Sequence, residues 1–380
     1  MSGRLRIEIA GAGIAGLTAA AALAQRGHSV RVHESSGELR EIGAGIYLKR
    51  NSVEVLKKLG LFDALTRRAE RLLCGEIRDE RNRVLLRRVT AAEEAFTVLR
   101  QTLHELLAEA ARAAGAEIVT NSKLIAASGD GEITLAGGER AKADLVIGAE
   151  GVNSVVRDAL GLTRSNEKLP DGAIRLLIPR TNADQPGLSV ENWSGPCRLG
   201  MVPCSPADIY MFLIGPQAER RAGAVPVDKA YWTQLYPHLA DIIARIPPDV
   251  GRFGRHAYVT VSAWSRGRAA ILGDAVHAQP PNLGQGAGMS MANAAALAET
   301  LDAHAGNVEA GLAAWEATRR PVSEAVQRWS YRYGVLGYQC PAPLYGARAA
   351  AIKALGRIGP TGRHWGWLWR GGMGPASAVS

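Results

Sequence analysis

The sequence predicts an α/β protein: a Rossmann-like dinucleotide-binding unit, a second and mostly antiparallel β unit, and helices towards the C-terminal end. Three observations predict it. A strand, a glycine turn, a helix and a second strand fill the first 34 residues. Strand-like runs separated by Pro, Gly, Asn and Asp occupy about 169–264, the punctuation expected of antiparallel hairpins. A third glycine turn then opens an Ala-rich helical stretch from Gly284 to about Ala303.

The first stretch is the most informative. Arg6 to Ala10 reads as a strand, Gly11-Ala12-Gly13-Ile14-Ala15-Gly16 as the turn, Leu17 to Gln25 as the helix, and Ser29 to His33 as the next strand, ending in Glu34. Gly11 permits the tight turn, Gly13 lets backbone approach a pyrophosphate, and Gly16 lets helix and strand pack closely. A helix N-terminus offers N–H groups and a positive dipole to phosphates. Ile14 and Ala15 belong to that N-terminus, and Glu34, followed by Ser35, stands where a carboxylate bonds ribose hydroxyls. These residues alone do not separate FAD from NAD.

At 380 residues the chain is long for a single core, so two domains are expected. Arg4, Arg6 and Glu8 interrupt the first apolar run, which excludes a signal peptide. No apolar run reaches the roughly 18 residues that span a bilayer, and the chain reads as soluble and cytoplasmic. Cys74, Cys197, Cys204 and Cys340 form no C-x-x-C pair, which suits reduced thiols, and the histidines show no metal-ligand spacing, so no metal is expected. Charge is uneven. After Glu324 there is no acid but seven bases, Arg328, Arg332, Arg348, Lys353, Arg357, Arg363 and Arg370. A basic patch confined to a tail beside a cofactor fold does not indicate nucleic acid.

In order, Gly43 to Leu48 reads as a glycine-rich loop entering a strand, with Gly45 inside it. Asn51-Ser52-Val53-Glu54 has capping-box spacing and opens a helix through Leu59. Residues 72–99 look like strands, Arg100 precedes an amphipathic helix from Leu103 to Ala114, and 116–149 returns to strands. Ala143 to Ile147, nearly all apolar, suits a strand covered on both faces. It feeds Gly148 to Arg157, a second glycine turn. In the middle section one helix, about Lys229 to Ile246, interrupts the strands. Arg268 to Leu272 returns to a buried strand, followed by Gly273-Asp274 and by the turn Pro281 to Gly288. A further helix runs near Val308–Trp329. The predicted division is 1–75, 100–168 and 265–330 for a discontinuous cofactor-binding domain, 76–99 and 169–264 for a substrate domain, and 331–380 for a basic helical arm.

The three turns together, Gly11–Gly16 with Glu34, Gly148–Arg157 and Gly273–Gly288, resemble the single-component FAD-dependent aromatic hydroxylases, which have the p-hydroxybenzoate hydroxylase fold. Glu38-Leu39-Arg40 with Gly43 to Leu48, and Asp171 to Leu176, look like the branch containing 3-hydroxy-2-methylpyridine-5-carboxylate oxygenase. The middle turn carries Glu150 where the family usually has Asp.

The resemblance implies FAD, reduced by NADH or NADPH. Glu34 would hold the adenosine ribose, Arg40 and Arg100 would lie near the phosphate and ribityl portion, and Leu124 would lie beside the adenine. Asp274 would bind a ribityl hydroxyl or a pyrophosphate water. Pro281, Gly284, Gly286 and Ala287 would bring a helix N-terminus to the flavin's pyrimidine edge, where negative charge develops on reduction. The implied reaction is hydroxylation, or ring opening, of a hydroxylated aromatic or pyridine carboxylate through a flavin C4a-hydroperoxide formed with O₂. Arg175 and Arg198 are candidates for a carboxylate, Tyr210 for the ring substituent, and His256 for a proton.

Other classes leave weaker marks. A flavin-dependent reductase or dehydrogenase without oxygen transfer is the main alternative, separated by substrate-dependent O₂ consumption. Trp365-Gly366-Trp367 resembles a halogenase motif but stands in the tail rather than mid-chain. The basic, Trp-bearing tail suits an arm packed over the domains or in a homodimer better than a membrane surface.

Overall fold

The computed structural model describes residues 3–39, 43–90, 94–304 and 307–357. Arg40 and the tail from 358 on, with its Trp365-Gly366-Trp367, lie outside the described residues.

Glycine placement and unbroken apolar runs build the first sheet. Its order is Ser265–Arg266, Ala269–Ile271, Leu145–Gly148, Arg6–Ala10, Ser29–His33 and Glu117–Val119, parallel except at the Ser265–Arg266 edge. Leu145–Gly148 is buried throughout, as a strand covered on both faces must be. The helix Ile14–Ala24 is buried nearly all round. Its alanines let it lie between the sheet and the helix Gly286–Ala303.

The second sheet has seven strands, in the order Phe253–Val261, Thr163–Pro179, Asp208–Pro216, Cys197–Pro203, Leu188–Ser194, Cys74–Asp79 and Val84–Val89. All pair antiparallel except Leu188–Ser194 with Cys74–Asp79. One face rests on a core built from Ile174, Leu199, Leu213, Trp232 and Tyr236. A smaller sheet, Gly45–Lys49, Ala95–Leu99 and Glu70–Arg71, bridges the two large ones. Ala95–Leu99, expected among the substrate strands, therefore pairs with the strand that leaves the first glycine loop.

Several predicted boundaries move. The helix expected to open at Asn51 runs Arg50–Lys58 and has no side-chain cap. Asn51 is buried, and its amide donates to Gln285 Oε1 at 3.0 Å, so its side chain serves a tertiary contact and not a helix end. The helix expected near Leu103 begins at Arg100. The stretch 229–246 divides into Lys229–Leu235, a 3₁₀ turn at Pro237–Leu239, and Ala240–Ala244, because proline cannot continue the hydrogen-bond ladder. The helix near 308 continues to Tyr338, past the expected edge of the arm. Tyr345–Arg357 then packs on Val84–Val89. Among the described residues no helix is long and apolar enough to cross a membrane.

Gly200 faces Phe212 across the hairpin, and a Cβ on it would stand 1.8 Å from Phe212 Cζ. Gly200→Val is expected to cost about 1–3 kcal/mol, the usual range for overpacking. Thermal unfolding of the apoprotein measures it, and an unchanged Tm would show that Phe212 moves freely.

Candidate active site

A cavity of about 1430 Å³ runs between the two large sheets. At one end it is lined by Gly11, Gly13, Ile14, Ala15, Glu34, Ser35 and Leu124, and further on by Gly45, Arg100, Asp274, Pro281, Gly284, Gly286 and Ala287. Apart from Gly16, which packs against Gly11 and Ala149 and does not line the cavity, the described residues assigned above to the cofactor thus reach one continuous space. So do Arg175, Arg198, Tyr210 and His256.

The first turn is shaped by packing on one side and left open on the other. Gly11 has φ +93°, and a Cβ there would meet Ala149 O at 2.7 Å. A Cβ on Gly16 would meet Gly11 O at 2.0 Å. Gly13 is the N-cap of Ile14–Ala24, and a Cβ placed on it would meet nothing within 4 Å. The protein's own packing does not demand glycine there; a phosphate close to the backbone does. Glu34 closes the turn, accepting from the Ala12 N–H at 2.9 Å and the Ser36 N–H at 2.9 Å. Burial pushes its carboxyl up, but these donors outweigh it and hold the pKa below the ordinary value.

Glu150 supports the middle turn. Its Oε2 accepts from Ser154 Oγ at 2.6 Å and its Oε1 from the Val156 N–H at 3.0 Å. Burial raises its pKa against those bonds. The longer acid thus serves as a cap for the helix Val155–Ala159. Buried Arg157 links this turn to the third, donating to Val152 O at 2.9 Å and Ala275 O at 3.3 Å. Gly273 (φ +68°) releases the chain into Asp274, which is exposed to the cavity.

The pyrimidine-edge turn is held from several sides. Lys49 Nζ donates to Leu283 O at 2.6 Å, and burial lowers its pKa to about 7 with Arg88 adding to the shift. Arg198 Nη2 donates to Asn282 Oδ1 at 2.7 Å, and Asn282 Nδ2 to Ser330 O at 2.8 Å. Arg100 opens its helix beneath Gly43, its own N–H bonded to Ala44 O at 2.9 Å.

The substrate-side residues divide. Arg198 and Tyr210 lie on paired strands, with Arg198 opposite Ile214 and Val202 opposite Tyr210, so both face the same side. Yet Arg198 is 1% exposed and its guanidinium lies 3.3 Å from Glu191 Oε1, over the rings of Trp193 and Tyr333. Its charge is already matched. Arg175 is exposed and interacts with the Tyr210 hydroxyl; burial raises the pKa of that phenol, and Arg175 opposes the rise. His256 Nδ1 stands 3.2 Å from Asp171 Oδ2, both residues buried. Burial lowers the His256 pKa while Asp171 opposes it. The pair sits at a bulge: Lys168 pairs with Ala257 and Gly172 with Arg255, so three residues face His256 alone. Bulges of this kind re-aim side chains near active sites.

Sequence reasoning passed over Lys49, Glu191, Asn282 and the role of Asp171. Asn282 could have been found, because it stands inside the third turn. The others act through partners on distant strands.

A parallel sheet with glycine turns at its strand ends, joined through one cavity to an antiparallel wall, has the architecture of a dinucleotide-cofactor enzyme whose cofactor turns face a second pocket. The FAD binding domain family matches residues 4–330, and the chain belongs to it. A probable 2-heptyl-3-hydroxy-4(1H)-quinolone synthase of Rhodococcus erythropolis is 36% identical over 338 residues, covering 87% of this chain and 88% of that one. The solved tetrameric form of 2-methyl-3-hydroxypyridine-5-carboxylic acid oxygenase shares 34% identity, with a TM-score of 0.83 over 92% of this chain and 96% of the other. The 6-hydroxynicotinate 3-monooxygenase of Bordetella bronchiseptica is 29% identical over 78% of this chain and 82% of its own length. The protein is an FAD-dependent monooxygenase that uses NAD(P)H and hydroxylates aromatic substrates.

The two glycines make a paired test. Gly13→Val should fold but lose FAD, read as the flavin absorbance of the purified protein. Gly16→Val should fail to fold, because backbone stands where the side chain would go. Full FAD occupancy in a folded Gly13→Val protein would refute the assignment of this turn.

Proposed function

We propose that the substrate is a quinolone- or pyridine-type ring bearing an apolar substituent. The observation that carries this reading is the state of Arg198: its charge is matched by Glu191, and its terminal nitrogens donate to Glu191 and Asn282. The cavity also continues past the ring site into a stretch lined by Ile77, Leu86, Val89, Leu336 and Ile352, which suits an alkyl group. The quinolone synthase relative, whose named product carries a heptyl chain, agrees with it. A second reading, a ring carboxylate held by Arg175, is favoured by the exposure of that guanidinium beside Tyr210 and by the pyridine-carboxylic acid oxygenase relative.

FAD, once bound and reduced by NAD(P)H, supplies the activation of O₂ and the delivery of an oxygen atom to the ring. The chain supplies the rest. The Gly11–Gly16 turn and Asp274 hold the diphosphate region, Glu34 and Ser35 the ribose, and Gly45 and Arg100 the ribityl side. Pro281, Gly284, Gly286 and Ala287 present the start of an 18-residue helix to the flavin edge, where its dipole favours negative charge. Tyr210 orients the ring hydroxyl. His256, steadied by Asp171, takes the proton from that hydroxyl, which enriches the ring in electrons. Walls of Tyr47, Phe212 and Tyr333 keep water from the reacting carbon.

The discontinuous division into FAD and substrate domains, with a C-terminal helical arm, is part of this proposal, as are a cytoplasmic location and a homo-oligomeric state. The pyridine-carboxylic acid oxygenase is a tetramer, and light scattering would measure the assembly here.

The decisive assay offers 2-alkyl-4-quinolones of increasing chain length beside hydroxypyridine and hydroxybenzene carboxylates, following NAD(P)H oxidation and product mass. Turnover should rise with the alkyl chain, with a gain of one oxygen. Turnover of the carboxylates alone would transfer the assignment to the second reading, and a gain of two oxygens would indicate ring opening. Tyr210→Phe should lower the yield of product per NAD(P)H oxidised while FAD content stays unchanged.

A pH profile tests His256. Its folded pKa is depressed below 6.5, so the neutral, proton-accepting form persists below that pH and the acid limb of kcat/KM should fall under 6.5. His256→Gln should remove this limb and slow turnover on the order of a hundredfold. The same depression sets a stability trend: below pH 6.5 the unfolded chain binds the proton more readily, so stability falls as pH drops.

A further inference from the structure

Beneath the adenosine end of the FAD site runs a buried polar chain that the reaction does not use. Glu8 occupies the middle of Arg6–Ala10 and is 3% exposed, between Ile7 and Ile9 at 0%. Its Oε2 lies 2.8 Å from His33 Nε2, and His33 Nδ1 lies 2.7 Å from Ser122 Oγ. His33 and Ser122 line the cavity beside Glu34 and Leu124; Glu8 stands behind them. The register places Glu8 opposite Arg31 and Ala10 opposite His33, so alternation puts Glu8 and His33 on one face of the sheet. The Ser122 N–H donates to Glu34 O at 2.8 Å, which fixes the serine next to the residue that marks the ribose.

Hydrogen accounting gives this chain a direction. For a neutral His33 facing an ionised Glu8, the carboxylate accepts from Nε2–H of His33. Nδ1 then accepts the hydroxyl proton of Ser122. The serine has no second proton, so it meets anything in the cavity as an acceptor. A carboxylate inside a sheet is a costly filling, and an apolar pair of similar volume is often as stable or more so. Such a chain ending in the cavity wall fits a ligand that must offer a donor. In the adenosine part of FAD the donors are the exocyclic amine and the ribose hydroxyls, and Glu34 already stands as acceptor for the latter.

We propose that Glu8, His33 and Ser122 form a relay that presents Ser122 Oγ to the exocyclic amine of the FAD adenine and so selects adenine over bases without that amine. The three are binding and positioning residues, and the relay moves no proton during turnover.

The test is equilibrium binding to the apoprotein, read by flavin difference absorbance, with FAD, its hypoxanthine analogue and 2′-deoxy-FAD. The hypoxanthine form carries a carbonyl oxygen where adenine has the amine. Wild type should bind FAD about tenfold more tightly than that analogue, the usual worth of one hydrogen bond. Ser122→Ala, which removes one oxygen, should bind both alike, and so should the Glu8→Leu/His33→Phe double variant, which keeps the serine but removes what aligns it. Retention of the wild-type preference in Ser122→Ala overturns the proposal. So does an effect of Ser122→Ala confined to the ribose, seen as an altered preference for FAD over 2′-deoxy-FAD with the hypoxanthine preference intact. If the double variant does not fold, Ser122→Ala decides alone. No ring substrate enters this experiment, so its outcome is independent of which aromatic compound is hydroxylated.

Discussion

The structure depends on a contact too close for any side chain, that between the first two glycine turns. A Cβ on Gly11 would press on Ala149 O at 2.7 Å, and one on Gly16, besides overlapping Gly11 O at 2.0 Å within the first turn, would touch Ala149 Cβ at 3.4 Å. This closeness brings the ends of Arg6–Ala10 and Leu145–Gly148 level, in the register that pairs Ala10 with Gly148. Once they are level, Glu150 can cap the second turn and Arg157 can reach Ala275 in the third. Three turns separated by well over a hundred residues in sequence become one surface. Without the first contact, the second and third would have no common edge to define a cofactor site.

The same surface is tied to the substrate wall. The turn at Pro281–Leu283 receives Lys49 from the bridging sheet and Arg198 from the antiparallel sheet, while Asn282 reaches Ser330 on the long C-terminal helix. Arg198, which lines the cavity from the antiparallel sheet, thus also holds the Asn282 side chain in the third turn. Glu191 stands behind Arg198 and Tyr333 beside it, so the electrostatic state of the wall and the shape of the turn are coupled. Changes of substrate preference in this region will carry consequences for cofactor position.

This coupling explains which features were legible in the sequence. The glycine turns could be read because their requirement is local: the residue needing freedom and the one it approaches lie within a few positions, or at like strand ends. Glu34 could be read because a fixed spacing from the turn places it. Arg198 was visible as a cation on a strand facing the cavity, but its partner Glu191 lies across a hairpin whose register no local pattern dictates. Asp171 meets His256 through a bulge, and bulges leave little trace in alternation. Asn51 followed capping-box spacing and yet turned inward to Gln285, because burial there outweighed the small gain from a cap. His33 and Ser122 are 89 positions apart, beyond the reach of any periodicity.

What the chain is free to vary follows from this arrangement. The oxygen-transfer chemistry belongs to the flavin, and the turns that hold it are fixed by backbone contact, so they tolerate little change. The strand pair Cys74–Asp79 and Val84–Val89 sits at the sheet edge, and the helix Tyr345–Arg357 packs on it. Together with Leu336 these elements close the far end of the cavity. They share the cavity with the cofactor turns, Arg88 acts electrostatically on Lys49, and Val89 and Leu336 are exposed at the rim. Side chains there can grow, shrink or change polarity without disturbing the glycine contacts. Under the proposed function, the selection of one aromatic substrate over another would fall to this edge and to the helices that cover it, while Tyr210 and His256, which line the same cavity, would face the ring.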